Sequence, residues 1–127
     1  MVEWRQGQVG ERMIAVIFEV YPANGRRQDY LDLAAELRDE LQWIDGFISV
    51  ERFESLTEPG KLLSLSFWRD EAAITAWRNY GRHRATQARG RAEILADYHL
   101  RIADVARDYG KTERDQAPAD SRLELES

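Results

Sequence analysis

Four β-rich apolar runs and two amphipathic stretches follow one another as β-α-β-β-α-β. That order predicts an α+β fold, a four-stranded antiparallel sheet with both helices on one face. Three observations carry the prediction. Met13–Tyr21 (MIAVIFEVY) is an almost unbroken run of β-branched and aromatic residues. Arg26–Gln42 sets Tyr30, Leu33, Ala34, Leu37 and Leu41 on one stripe at helical spacing. Glu58-Pro59-Gly60 joins two further apolar runs at hairpin distance.

The first run lacks polar alternation, so it reads as an interior strand covered on both faces. Pro22-Ala23-Asn24-Gly25 ends it in a turn. After the first helix, Asp45-Gly46 turns the chain into Phe47–Leu56 (FISVERFESL), the second strand, with both faces partly apolar. In the next turn Pro59 suits the first central position and Gly60 the second, where φ is positive. Leu62–Trp68 (LLSLSFW) is the third strand. Asp70 is an expected N-cap and Glu71 favours a helix N-terminus. Ile74 and Trp77 share the inward side of the helix that follows, and Gly81 is expected to break or bend it before a second helical piece running to about Glu93. Leu95–Tyr109 holds the fourth strand. Within it Tyr98, Leu100, Ile102 and Ala106 share one face, and His99, Arg101, Ala103 and Val105 the other.

These elements place the folded domain at residues 12–110, with a loose leader over 1–11 and a flexible, solvated tail over 111–127. The architecture is ferredoxin-like. Apolar residues expected on its helix-free face (Ala15, Ile17, Ile48, Val50, Leu62 and Val105) would leave a monomer with a sheet-sized exposed patch, so a homodimer is expected.

Of the 127 residues, 18 are basic and 23 acidic, a formal charge of −5. The arginines are interleaved with acids, which argues against a nucleic-acid partner. The absence of cysteine excludes disulfides, thiolate zinc sites and a cysteine nucleophile and fits a cytoplasmic location. No apolar run approaches the ~20 residues that span a bilayer, and the leader has no signal-peptide core. Ser64 and Ser66 have no nucleophile-elbow context, and no P-loop or dinucleotide fingerprint occurs. The two histidines, His83 and His99, have no evident third ligand, so no metal site is expected. His83 is the residue best placed for pH-sensitive chemistry.

The strand MIAVIFEVYP, the Gly-Phe opening of FISVERFES, the turn EPGK, and LSLSFWRDEAAITAWR followed by His83 together resemble the antibiotic biosynthesis monooxygenase superfamily, over residues 13–109. The resemblance implies a dimeric α+β barrel. It also implies cofactor-independent oxygenation of an aromatic or quinol-like small molecule. In that setting His83 would be the catalytic base or donor. Trp77, Phe67 and Phe18 would wall a substrate pocket, and Tyr98 or Arg101 would steady an oxyanion. A haem-degrading branch uses an Asn late in the first strand. Met13–Tyr21 contains none, so the resemblance does not extend to it. The alternative on the same scaffold is a non-catalytic ligand-binding or stress-response dimer.

Overall fold

The computed structural model describes residues 13–80, 88 and 93–121. Its order is β1 (Ile14–Pro22), α1 (Arg27–Leu41), β2 (Phe47–Glu54), β3 (Leu62–Trp68), α2 (Glu71–Arg78) and β4 (Leu95–Asp104). The sheet runs β2-β3-β1-β4, and every neighbouring pair is antiparallel. The two longest apolar runs, β1 and β3, are thus the inner strands, which explains why neither alternates cleanly.

The turns form as their residues dictate. Gly25 has φ +78, and the Arg26 amide donates to the Ala23 carbonyl at 2.8 Å. Gly60 has φ +84, and the Lys61 amide donates to the Glu58 carbonyl at 3.2 Å. Asp70 caps α2 by accepting the Ala73 amide at 3.0 Å. The helix ends at Arg78, where the Asn79 side-chain amide donates to the Thr75 carbonyl at 2.9 Å; the expected break at Gly81 and most of the helical piece after it lie outside the described residues.

Gly46 carries a tighter constraint. Its φ is +94, and a Cβ there would lie 2.6 Å from the Cβ of Ala73. Glycine therefore lets α2 settle directly on the α1–β2 corner, where the Arg69 amide donates to the Gly46 carbonyl at 2.7 Å.

Strand pairing fixes which side chains share a face. One row across the sheet is Arg52–Ser64–Phe18–Leu100, and the next is Val50–Ser66–Val16–Ile102. Both rows face the helices. A register shift between Phe47 and Ser49 resets β2. It leaves Ile48 exposed and swings Phe47 edge-on to Trp68, with ring centroids 5.3 Å apart. Val50 and Leu62, expected on the bare face, lie on the helix side; Leu62 does so because it shares the β3 face of Ser64, Ser66 and Trp68. The opposite face carries Ala15 and Ile17 as expected, together with Leu63, Leu65 and Phe67.

Two buried clusters lie between sheet and helices. Ile14, Leu41, Trp68, Ala73, Ile74 and Trp77 form one, and Val20, Tyr30, Ala34, Leu62 and Ile94 the other. The stretch after β4 is mostly exposed, and as far as Ser121 it is organised around Arg114. That guanidinium donates to the Gly110 carbonyl at 2.8 Å and the Ser121 carbonyl at 3.2 Å, and sits 5.1 Å from the Tyr109 ring centroid. The pattern comes from one long cation and backbone carbonyls, which leave no mark on hydropathy.

Candidate functional site

The two buried clusters do not meet as a single core. Walls drawn from both enclose a cavity of about 590 Å³, within the usual ~300–1,000 Å³ of ligand sites. Its origin is local. On β3, Ser64 and Ser66 stand where neighbouring positions of the sheet carry Phe18, Val50 and Trp68. Two small side chains in the middle of the floor leave a hollow under α1 and α2.

Trp68, only 2 % exposed, closes one end. Its indole N–H donates to the Ser66 hydroxyl at 2.9 Å, so its one polar group is satisfied inside the protein. Trp77 is buried beside it and also lines the cavity. The indole bounds the space without filling it, because the Trp77 ring stacks outward on Tyr80, with centroids 6.2 Å apart. Phe18 and Tyr98 form a tilted pair on the floor, with centroids 5.6 Å apart. Tyr98, Leu100 and Ile102 line the same space and stay 42–49 % exposed, so the cavity opens along β4.

The sequence-derived site residues separate into three groups. Phe18, Trp77 and Tyr98 line the cavity together. Phe67 and Arg101 do not, because the two-residue period of β3 and β4 sends both to the opposite face. Trp68 takes the wall position assigned to Phe67. Arg101 has its own partner, Glu19, at 3.5 Å, with Lys61 at 3.4 Å from the same carboxylate oxygen. Partial burial pushes the Glu19 carboxyl upward, but Lys61 and Arg101 outweigh it and hold the group below its ordinary value. His83 lies outside the described residues. His99 sits on the open face, opposite Glu19. Among the described residues no group of three or more side chains could hold a metal ion.

Besides Trp68, the lining residues Arg52 and Tyr30 were missed from sequence. Arg52 projects from β2 into the hollow, cross-strand from Ser64. Tyr30 reaches it from α1. Burial drives the Tyr30 hydroxyl above its ordinary value, and the neighbouring Arg52 guanidinium pulls the other way. The alternation of serines on the Trp68 side of LLSLSFW was the available signal, since small polar residues inside an apolar inner strand mark a hollow.

The match to known proteins agrees with this geometry. The model of the antibiotic biosynthesis monooxygenase family covers residues 13–89. The chain belongs to that family. It is 50 % identical over 93 residues to a Pyricularia oryzae protein named jasmonate monooxygenase ABM. That stretch is 73 % of this chain and 43 % of the relative, so the chain spans less than half of that protein's length. A Mycobacterium tuberculosis structure superposes with a TM-score of 0.69 at 17 % identity, covering 77 % of this chain and 99 % of its own. A Shewanella oneidensis structure gives 0.68 at 16 % identity, covering 75 % and 92 %. At such identities the likeness establishes the ferredoxin-like fold. Among the described residues no helix is long and apolar enough to cross a membrane.

Proposed function

We propose that this chain is a monooxygenase that oxidises a small, predominantly apolar molecule held between the sheet and the helices. The observation that carries the reading is the cavity itself, a space of about 590 Å³ walled by Trp68, Trp77, Phe18, Tyr30 and Tyr98. Aromatic walls bind a flat apolar substrate and exclude water from an oxygen-reactive carbanion or phenolate. The substrate class expected from the family is an aromatic or quinol-like molecule. For such a substrate the balance closes without a cofactor: a ring-flanked CH₂ plus O₂ gives C=O plus H₂O, the substrate supplying all four electrons. His83, carried over from the family likeness, is the base that starts the reaction.

The relative's name supports a second class, an alicyclic carboxylic acid. Hydroxylating an unactivated C–H bond consumes two further electrons, so that substrate needs a reductant. A second copy of the chain covers the face bearing Ile17, Leu63, Leu65 and Phe67, which gives the homodimer, and a cytoplasmic location fits the cysteine-free chain.

The test is oxygen uptake by purified protein with anthrones and quinols alone, and with jasmonate in the presence or absence of reduced flavin. Each is run beside His83→Ala. Protein-dependent uptake with any substrate supports the reading, and its loss in the variant supports His83 as base. Ligand binding without uptake across the panel would favour the non-catalytic binding dimer.

A further inference from the structure

The cavity has a charge pattern at odds with the chain around it. The protein carries 23 acidic residues against 18 basic, yet the described residues lining the cavity include two arginines and no carboxylate. Arg78 sits exposed at the margin. Arg52 is half-buried, and its Nε is fully buried with no hydrogen-bond partner. Among the described residues no carboxylate forms an ion pair with it. The acid that shares its side of β2, Glu54, is taken by Arg27 at 3.5 Å. Glu51 faces the other side of the sheet, paired with Leu65.

A buried guanidinium nitrogen without an acceptor is costly unless something completes it. The surroundings are arranged for a ligand oxygen. Ser64 is the cross-strand neighbour on the same face, and the Tyr30 hydroxyl lies next to the guanidinium. Hydroxyls of both kinds donate to a carboxylate. Most of the remaining wall, Trp68 and Trp77 included, is apolar.

We propose that Arg52, with Tyr30 and Ser64, is the anchor for a carboxylate, so that the substrate is a compact apolar carboxylic acid whose body lies toward Trp68 and Trp77. The proposal rests on the cavity being the substrate site; of the two substrate classes above it favours the acid, and it adds the residues that would hold the carboxylate. Arg52 fixes which end of the ligand lies at the Ser64 row. The reacting atoms then lie along the aromatic wall, away from the charge.

The test is calorimetric titration with naphthalene-1-acetate and its methyl ester, which share one apolar body and differ in charge. Wild type should bind the acid at least tenfold more tightly than the ester, the usual worth of charge-assisted hydrogen bonds. Arg52→Met keeps most of the side-chain length and removes the charge. It should lose at least tenfold in acid affinity and bind the ester no worse, and Arg52→Lys should recover part of the loss. The ester titration shows whether each variant still has a formed cavity. Equal affinity for acid and ester in wild type would overturn the anchor and leave the cavity reading standing. Equal loss of both ligands in Arg52→Met would also overturn it. No binding of either ligand by wild type would overturn both.

Discussion

Replacing Gly46 with Ala tests how α2 is seated. The new Cβ would lie 2.6 Å from the Ala73 Cβ and 3.2 Å from the Arg69 guanidinium. Carbon atoms pack at about 3.5–4.0 Å, so α2 must retreat by roughly 1 Å. Over-packing of that kind costs about 1–3 kcal/mol, and holding an alanine at φ +94 adds about 1–2 kcal/mol. The expected loss is therefore about 2–5 kcal/mol, read as a lower midpoint in urea denaturation. Gly60→Ala is the control. Its φ is +84 and nothing lies within 4 Å of the new Cβ, so only the backbone cost applies, about 1–2 kcal/mol. The contact itself is isolated by a cycle with Ala73→Gly. That change costs about 1 kcal/mol alone but should recover about 1–3 kcal/mol in the Gly46→Ala background. Equal losses at Gly46 and Gly60, or no coupling to Ala73, would refute this account of the corner.

Asp70→Ala should cost about 1 kcal/mol at neutral pH, the usual worth of an N-cap, measured by thermal melting. The Ala73 amide holds the Asp70 carboxyl below its ordinary value of 3.8. Its stabilisation is thus complete above about pH 4 and lost as pH falls through the lower folded value, so the gap between wild type and variant should narrow toward pH 2. Leu65→Asp places a charge in the middle of the helix-free face. Sedimentation should show a dimer for wild type and a monomer for the variant. A wild-type monomer at micromolar concentration would contradict the proposed assembly.

The element order and the described turns that set it were legible because they depend on local chemistry. Asn24-Gly25, Pro59-Gly60 and Asp70 each act within four residues of chain. Parity was harder. Phe67 and Trp68 are equally apolar, and the run LLSLSFW offers aromatic or aliphatic residues to both faces. Only pairing with β1, where Ser66 meets Val16 and Phe67 meets Ala15, settles which indole or phenyl ring looks at the helices. The bulge at Ile48 likewise changes which residues of β2 share a face, and Arg52 was hidden behind that shift. An arginine in a chain with many interleaved charges reads as solvated surface. Its buried nitrogen becomes visible only when β2, β3 and α1 are assembled. The approach of Gly46 to Ala73 is similarly a tertiary fact, since the sequence marks a turn at Gly46 without showing what rests on it.

The central claim is that the hollow over Ser64 and Ser66 is where substrate is held. Ser64→Leu fills the floor with apolar volume and should keep the folded state at least as stable by thermal melting. The direct measurement is oxygen uptake by wild type and this variant, using a substrate that wild type turns over. The account predicts uptake by wild type and at least a tenfold loss in the folded variant. Undiminished uptake with the hollow filled would place the chemistry elsewhere on the protein.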